Sequence, residues 1–296
     1  MMYAIVTFLY IPSPPFHRTG HKCRTDNMKH YTRVLTIAGS DSGGGAGIQA
    51  DIKTISALGG YAASAITAIT VQNTIGVQAV HAVPTDIIAG QIEAVLTDIG
   101  ADAVKIGMLQ SAEIVQCVAA NLREFATTKN IVLDPVMVST SGHRLIEEDA
   151  IQTLCTELMP MARVVTPNIP EAEILLGESI PDSQSALPDA AIRLAEKLKV
   201  SVLLKAGHLT EDCLVDYLYD REAGRLVELP SHRIHTQNTH GTGCTMSSAL
   251  ATLLAQGLSM QQAAHGAKAY IDNAIRSGAD YEIGHGHGPV NHFWGS

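Results

Sequence analysis

No two cysteines in this chain stand close enough to form a C-x-x-C pair. Cys23, Cys117, Cys155, Cys213 and Cys244 are odd in number and widely spread, which excludes a disulfide framework and points to a reducing, cytoplasmic setting. No basic run offsets the formal net charge of −9, so nonspecific binding to nucleic acid or to anionic membranes is not expected. No apolar segment is long enough to span a bilayer. Residues 2–11 are apolar, but no positively charged stretch precedes them and Pro12-Ser13-Pro14-Pro15 is not a small-residue cleavage site, so they do not read as a signal peptide. Internal repeats and low-complexity tracts are absent too. What remains is 296 residues with 46% hydrophobic content, enough for one large core.

Short β-branched runs alternate with helical stretches from residue 33 to about residue 280, the pattern of a single α/β unit. Val34–Ala38 reads as a buried strand, followed by a glycine-rich loop and a helix from Gly47 to Leu58. The β-rich segments 62–70 and 74–83 read as a small sheet set away from the main layer. Helices are expected over 86–99, 112–125, 147–158 and 170–176, strands over 103–106, 131–133, 163–166 and 202–205, and a hairpin near 214–229. Such alternation implies a mainly parallel sheet covered by helices, with ligands bound beyond the carboxyl ends of the strands.

Those strand ends carry the chemistry. Gly39-Ser40-Asp41, Lys105-Ile106-Gly107-Met108, Asp134-Pro135-Val136-Met137, Thr166-Pro167-Asn168 leading to Glu171, and Lys205-Ala206-Gly207-His208 each follow a strand. Taken singly, each also reads as a cap or a turn. The run Asn238-Thr239-His240-Gly241-Thr242-Gly243-Cys244 passes directly into an apolar helix. The first amides of a helix have no internal partner, the helix dipole is positive there, and glycines let backbone approach an oxyanion. Gly45-Ala46-Gly47-Ile48-Gln49-Ala50 formally satisfies the dinucleotide fingerprint G-x-G-x-x-A, but the next strand offers no acidic residue for a ribose. Walker A fails as well, since no Gly-Lys-Ser/Thr follows. A flexible loop of small side chains remains, suited to closing over a small polar substrate. His285, His287 and His292 lack an accompanying Cys or carboxylate at ligand spacing, so packing and hydrogen bonding near the site are expected of them.

Together, residues 38–51 (AGSDSGGGAGIQAD), Val71-Gln-Asn-Thr74, Lys105-Ile-Gly-Met108, Thr166-Pro-Asn-x-Pro-Glu171, Thr239-His-Gly-Thr-Gly-Cys244 and the tail Gly284-His-Gly-x-Gly-Pro-Val290 resemble the hydroxymethylpyrimidine/phosphomethylpyrimidine kinases. These are thiamin-biosynthetic members of the ribokinase-like superfamily. The resemblance runs from about Arg33 to Phe293 and departs at Ala206, where the family commonly has glycine. It implies an α/β ribokinase-like fold with a small β flap, residues 33–296 as a single kinase domain, and a homodimer. Residues 1–27 precede Met28 as an upstream extension, and 1–32 are expected to be a poorly ordered N-terminal extension.

The implied reaction moves the γ-phosphoryl group of ATP to the pyrimidine hydroxymethyl oxygen and then adds a second phosphoryl group. Gly241, Thr242 and Gly243 would hold the migrating group, Lys205 would add positive charge, and Cys244 would act as general base. Asp134 and Glu171 would hold Mg²⁺, and Asn168, Lys205 and Thr242 would contact ATP. For the pyrimidine, Gln72, Asp51, Gly39, Met108 and Val136 would form the pocket, Asp51 accepting from the exocyclic amine. A pyridoxal or pyridoxine kinase and a non-catalytic ligand-binding protein are the alternative readings.

Overall fold

Buried apolar runs of four or fewer residues set the centre of a sheet whose two faces are both covered. The computed structural model describes residues 29–137 and 145–295, and Tyr31–Ser296 form one compact unit. The expectations for residues 1–28 lie outside the described residues. Strands β1 (Arg33–Asp41), β2 (Tyr61–Gln72), β3 (Val77–Ala82), β4 (Ala103–Ile106), β5 (Ile131–Leu133), β6 (Val164–Val165), β7 (Ser201–Leu204), β8 (Cys213–Asp220) and β9 (Arg225–His232) pair in the order β3-β2-β1-β4-β5-β6-β7-β8-β9. From β2 to β7 all neighbours are parallel, while β3 at one edge and β8 and β9 at the other are antiparallel.

The alternation of side chains along a strand explains why the central strands read as unbroken apolar runs. Leu35, Ile37, Val104, Ile106, Ile131 and Leu133 enter one buried cluster, with Ile88 and Ile92 of α2 (Thr85–Ala94) and Val115, Val118 and Leu122 of α3 (Ala112–Phe125). That layer is completed by α4 (Glu148–Thr153), α5 (Ile169–Leu176) and α6 (Leu187–Leu198). Val34, Ala103, Val132, Val164 and Leu203 point the other way, onto α1 (Gly47–Ala57), α7 (Thr242–Ala255) and α8 (Met260–Gly278). The helices expected over 86–99 and 147–158 each end in a wider π-helical turn, at Val95–Ile99 and Leu154–Leu158.

One expectation is corrected. The β2–β3 hairpin is not a separate sheet, because β2 pairs with β1 from Arg33↔Tyr61 to Asp41↔Thr70 and so extends the main layer. The register slips between Ala38 and Ser40, and this irregularity sets Gly39 at the rim of the site. Among the described residues no helix is long and apolar enough to cross a membrane.

Candidate active site

The carboxyl ends of β1, β2 and β4–β7 open into a cavity of about 790 Å³. Gly39, Gln72, Met108, Asp134, Val136, Asn168, Glu171, Lys205, Gly241, Thr242, Gly243 and Cys244 all line it. At one strand spacing per step, its walls run from β2 to β8 over roughly 25–30 Å.

At its centre lies an ion pair between Lys205 Nζ and Asp134 Oδ1, 3.0 Å apart. Thr166 donates to the same oxygen at 2.8 Å, whereas among the described residues Asp134 Oδ2 receives only a 3.5 Å contact from Ser247. Burial alone would raise the Asp134 carboxyl, but Lys205 and Lys105 outweigh it and hold the group below its usual range. Glu171 behaves differently. Burial pushes its carboxyl up to about 7; Lys205 opposes the shift and Asp134 adds to it. Its position follows from local sequence. Asn168 caps α5, accepting from the Glu171 amide at 2.9 Å while Glu171 Oε2 accepts from the Asn168 amide at 2.9 Å, a reciprocal capping box. Among the described residues, Glu171 Oε1 has only a 3.4 Å contact from the Met137 amide.

Helix α7 starts on the other side of this pair. Gly241, its N-cap, has φ +82, and a Cβ there would collide with the Gly45 carbonyl, so glycine is required both by conformation and by close approach. No side chain caps the helix. The Thr242 amide is spent on the Thr239 carbonyl at 3.3 Å, while the Gly243 and Cys244 amides, as the next two helical positions, have no intrahelical acceptor. A Cβ on Gly243 would lie 3.3 Å from Lys205 Nζ, so these amides, the ammonium and Asp134 share one space. Cys244 is half-buried. Its thiol is pushed up to about 11, chiefly by burial, with Lys105 pulling it down, Asp51 and Asp134 raising it further, and the Gly47 amide favouring the thiolate.

Asp51 is the correction among the expected site residues. It does not line the cavity. Both it and Lys105 have fully buried side chains, and Lys105 Nζ meets the two Asp51 oxygens at 2.9 and 3.0 Å. Thr36 and Ser248 hydroxyls donate to the same carboxylate at 2.6 and 2.7 Å. With its acceptor sites filled from within, Asp51 ties α1, β1, β4 and α7 together beneath the site and offers nothing to an amine. Burial would lower the Lys105 pKa, but Asp51, Cys244 and Asp134 hold it above the usual value.

Sequence reading passed over two further residues. Asp41 accepts from three glycine-loop amides and lies 2.8 Å from His240 Nε2; its place at the end of β1 and that of His240 beside the anion turn were the available signals. Of the C-terminal histidines only His292 packs as expected, its Nε2 3.1 Å from Thr245 Oγ1; His285 and His287 are exposed, and the backbone at His285 and Gly286 donates to Thr74.

Removing one charge of the buried pair strands the other. Lys105→Met is expected to cost about 3–5 kcal/mol in chemical unfolding. The double variant Lys105→Met/Asp51→Asn should recover most of that loss, because Thr36 and Ser248 still satisfy the amide; equal losses in both would show that the charges are not coupled.

The family model of the phosphomethylpyrimidine kinases matches residues 41–291. The hydroxymethylpyrimidine/phosphomethylpyrimidine kinase of Rhizobium meliloti is 49% identical over 260 residues, covering 88% of this chain and 96% of that protein. The thiamine biosynthesis bifunctional protein of Geobacter sulfurreducens is 51% identical over 88% of this chain, which spans about half (52%) of that longer relative. Among solved structures, an ADP complex of Bacillus subtilis pyridoxal kinase superposes with a TM-score of 0.80 at 36% identity, covering 89% of this chain and 98% of that one. The fold is the ribokinase-like α/β fold, and the chain belongs to the phosphomethylpyrimidine kinase family.

Proposed function

We propose that this chain transfers the γ-phosphoryl group of ATP to the hydroxymethyl oxygen of 4-amino-5-hydroxymethyl-2-methylpyrimidine, and then a second phosphoryl group onto the monophosphate, in thiamin biosynthesis. The observation that carries this reading is the meeting, at the centre of one cavity, of open helix amides, Lys205, Asp134 and Glu171, flanked by two unlike ends. A loose phosphoryl transition state asks chiefly for alignment and for neutralisation of charge on the equatorial oxygens. The amides of Gly243 and Cys244 and the Lys205 ammonium supply that.

The heterocycle belongs at the end formed by Gly39, Gln72, Met108 and Val136, where small and apolar surfaces flank one polar side chain. The nucleotide belongs at the far end, where Leu214, Ile234, Ile271 and Ile275 form an apolar wall, with Asn168, Lys205 and Thr242 along the phosphates. The buried Asp134 Oδ2 and the weakly engaged Glu171 Oε1 suit Mg²⁺, which binds oxygen, keeps several waters and shares its shell with phosphates. When bound there, Mg²⁺ neutralises charge on the phosphoryl oxygens.

Cys244 is assigned as the base that takes the hydroxyl proton. In the free protein it rests as the thiol, since burial places it near 11. The Gly47 amide, the α7 terminus and Lys105 are the groups that favour its thiolate. A cytoplasmic setting is supported by cysteines that form no disulfide among the described residues. A homodimer is supported by Ile69, Val71 and Ile75 along β2 and its turn, which are 51%, 52% and 66% exposed; sedimentation at micromolar concentration should give twice the chain mass, and Val71→Lys should halve it.

Purified protein with Mg²⁺-ATP and either the pyrimidine or pyridoxal tests the function by product mass. Mono- and diphosphate from the pyrimidine are expected; product from pyridoxal alone would move the assignment to vitamin B6 salvage, and nucleotide binding without turnover to a non-catalytic role. Below a pKa of about 11 the Cys244 thiolate fraction grows with pH, so kcat should climb with pH through neutrality. Cys244→Ala should be flat and about 10²–10⁴-fold lower, with pyrimidine binding retained; near-normal turnover would remove the base assignment. Glu171 must lose its proton to ligate a metal, so the Mg²⁺ concentration for half-activation should fall as pH rises through about 7, a dependence that Glu171→Gln should abolish.

A further inference from the structure

Asp41 and His240 lie 199 residues apart in sequence and meet at the cavity wall. Asp41 Oδ1 accepts from the Gly43 amide at 2.8 Å, and Oδ2 from the Gly45 and Ala46 amides at 3.0 and 2.8 Å. Both oxygens therefore act as acceptors. His240 Nε2 lies 2.8 Å from Oδ2, so this ring nitrogen carries a hydrogen whether the imidazole is neutral or charged.

The Gln72 side chain touches the same nitrogen. The structure places its Nε2 3.3 Å from His240 Nε2 and its Oε1 3.1 Å from Thr70 Oγ1. Thr70 has a single hydroxyl hydrogen, which the Ser40 carbonyl receives at 2.9 Å. With its hydrogen directed at Asp41, His240 Nε2 has no lone pair to accept from an amide NH₂, whereas Thr70 Oγ1, its hydrogen spent, can accept one. An amide whose oxygen and nitrogen are told apart only by their partners satisfies both neighbours in one orientation, with its carbonyl toward His240 and its NH₂ toward Thr70. One N–H then goes to Thr70. The second is left for the cavity, which Gln72, Thr70 and His240 all line.

We infer that Asp41 and His240 are positioning residues that lock the Gln72 amide so that it presents an N–H donor to the cavity and reads a ring-nitrogen acceptor of the heterocycle, not its amino group. The inference rests on the pyrimidine-kinase reading above and adds a specificity rule to it. The same pair joins substrate recognition to phosphoryl binding, because His240 directly precedes Gly241 and a Cβ on Gly45 would strike the His240 ring.

Neutron diffraction from deuterium-exchanged protein examines the lock without substrate. Deuterium on His240 Nε2, with the Gln72 deuterons toward Thr70 and the cavity, is the expected result; Gln72 deuterons facing His240 overturn the inference. Kinetics then compare the pyrimidine with an analogue carrying C–H in place of the ring nitrogen beside the amino group. The wild type should disfavour the analogue in KM by about 10–100-fold, the cost of an unpaired buried donor. His240→Phe frees the amide to turn and should cut that ratio roughly tenfold. A merely structural role would raise KM for both compounds and keep the ratio, which overturns the inference. Thr70→Val, isosteric and lacking only the hydroxyl, gives the same test should the histidine variant not fold. A wild type that fails to phosphorylate the pyrimidine at all refutes the function proposed above, while the deuteron positions still decide this inference.

Discussion

Everything in this site depends on two stretches of backbone being allowed to touch. The loop after β1 and the turn before α7 meet so closely that a single methyl group at Gly241 would enter the Gly45 carbonyl. Side chains at that junction would separate the glycine loop from the open amides of α7, and the cavity would split into unconnected halves. Glycine is therefore required by packing at both positions, and at Gly241 by its positive φ as well. Asp41 secures the junction by gathering three loop amides and the His240 imidazole on one carboxylate.

A second constraint is charge balance in a region with little water. Beneath and around the cavity lie Lys105 and Lys205 against Asp51, Asp134 and Glu171. Within this group alone two cations face three carboxyls, while Asp41, Asp216, Lys268 and Asp272 also line the cavity, and an unpaired buried charge is costly. Glu171, pushed up to about 7, is the group whose proton settles the account at neutrality. A proton on Glu171 therefore limits the negative charge held in this region.

The central strands, the hairpin and most helices were legible in the sequence because apolar alternation and β-branched runs report burial directly. The anion turn was legible because Gly241, Thr242 and Gly243 stand immediately before an apolar helix, where backbone chemistry alone gives a meaning to glycine. Asp51 was misread for a physical reason. A carboxylate on α1 near a glycine loop suits a ligand and a buried cation equally well, and only the three-dimensional position of Lys105, 54 residues away, separates the two. His240 was visible as part of a motif, but its partnership with Asp41 spans 199 residues and leaves no local periodicity. The membership of β2 and β3 in the main sheet was likewise hidden, since strand pairing is a property of two segments and not of either one.

The order of elements along the chain has one more consequence. All nine strands are complete by His232, whereas the anion turn and α7 begin only after it. A polypeptide that stops there lacks α7 and α8, so Val34, Ala103, Val132, Val164 and Leu203 lose most of their cover and the cavity lacks its wall from Thr239 to Cys244. Helix α7 packs back onto α1, about two-thirds of the chain away, where His240 reaches Asp41. Contacts so distant in sequence form late and slowly. The last two helices thus complete both the apolar cover of the sheet and the wall of the cavity.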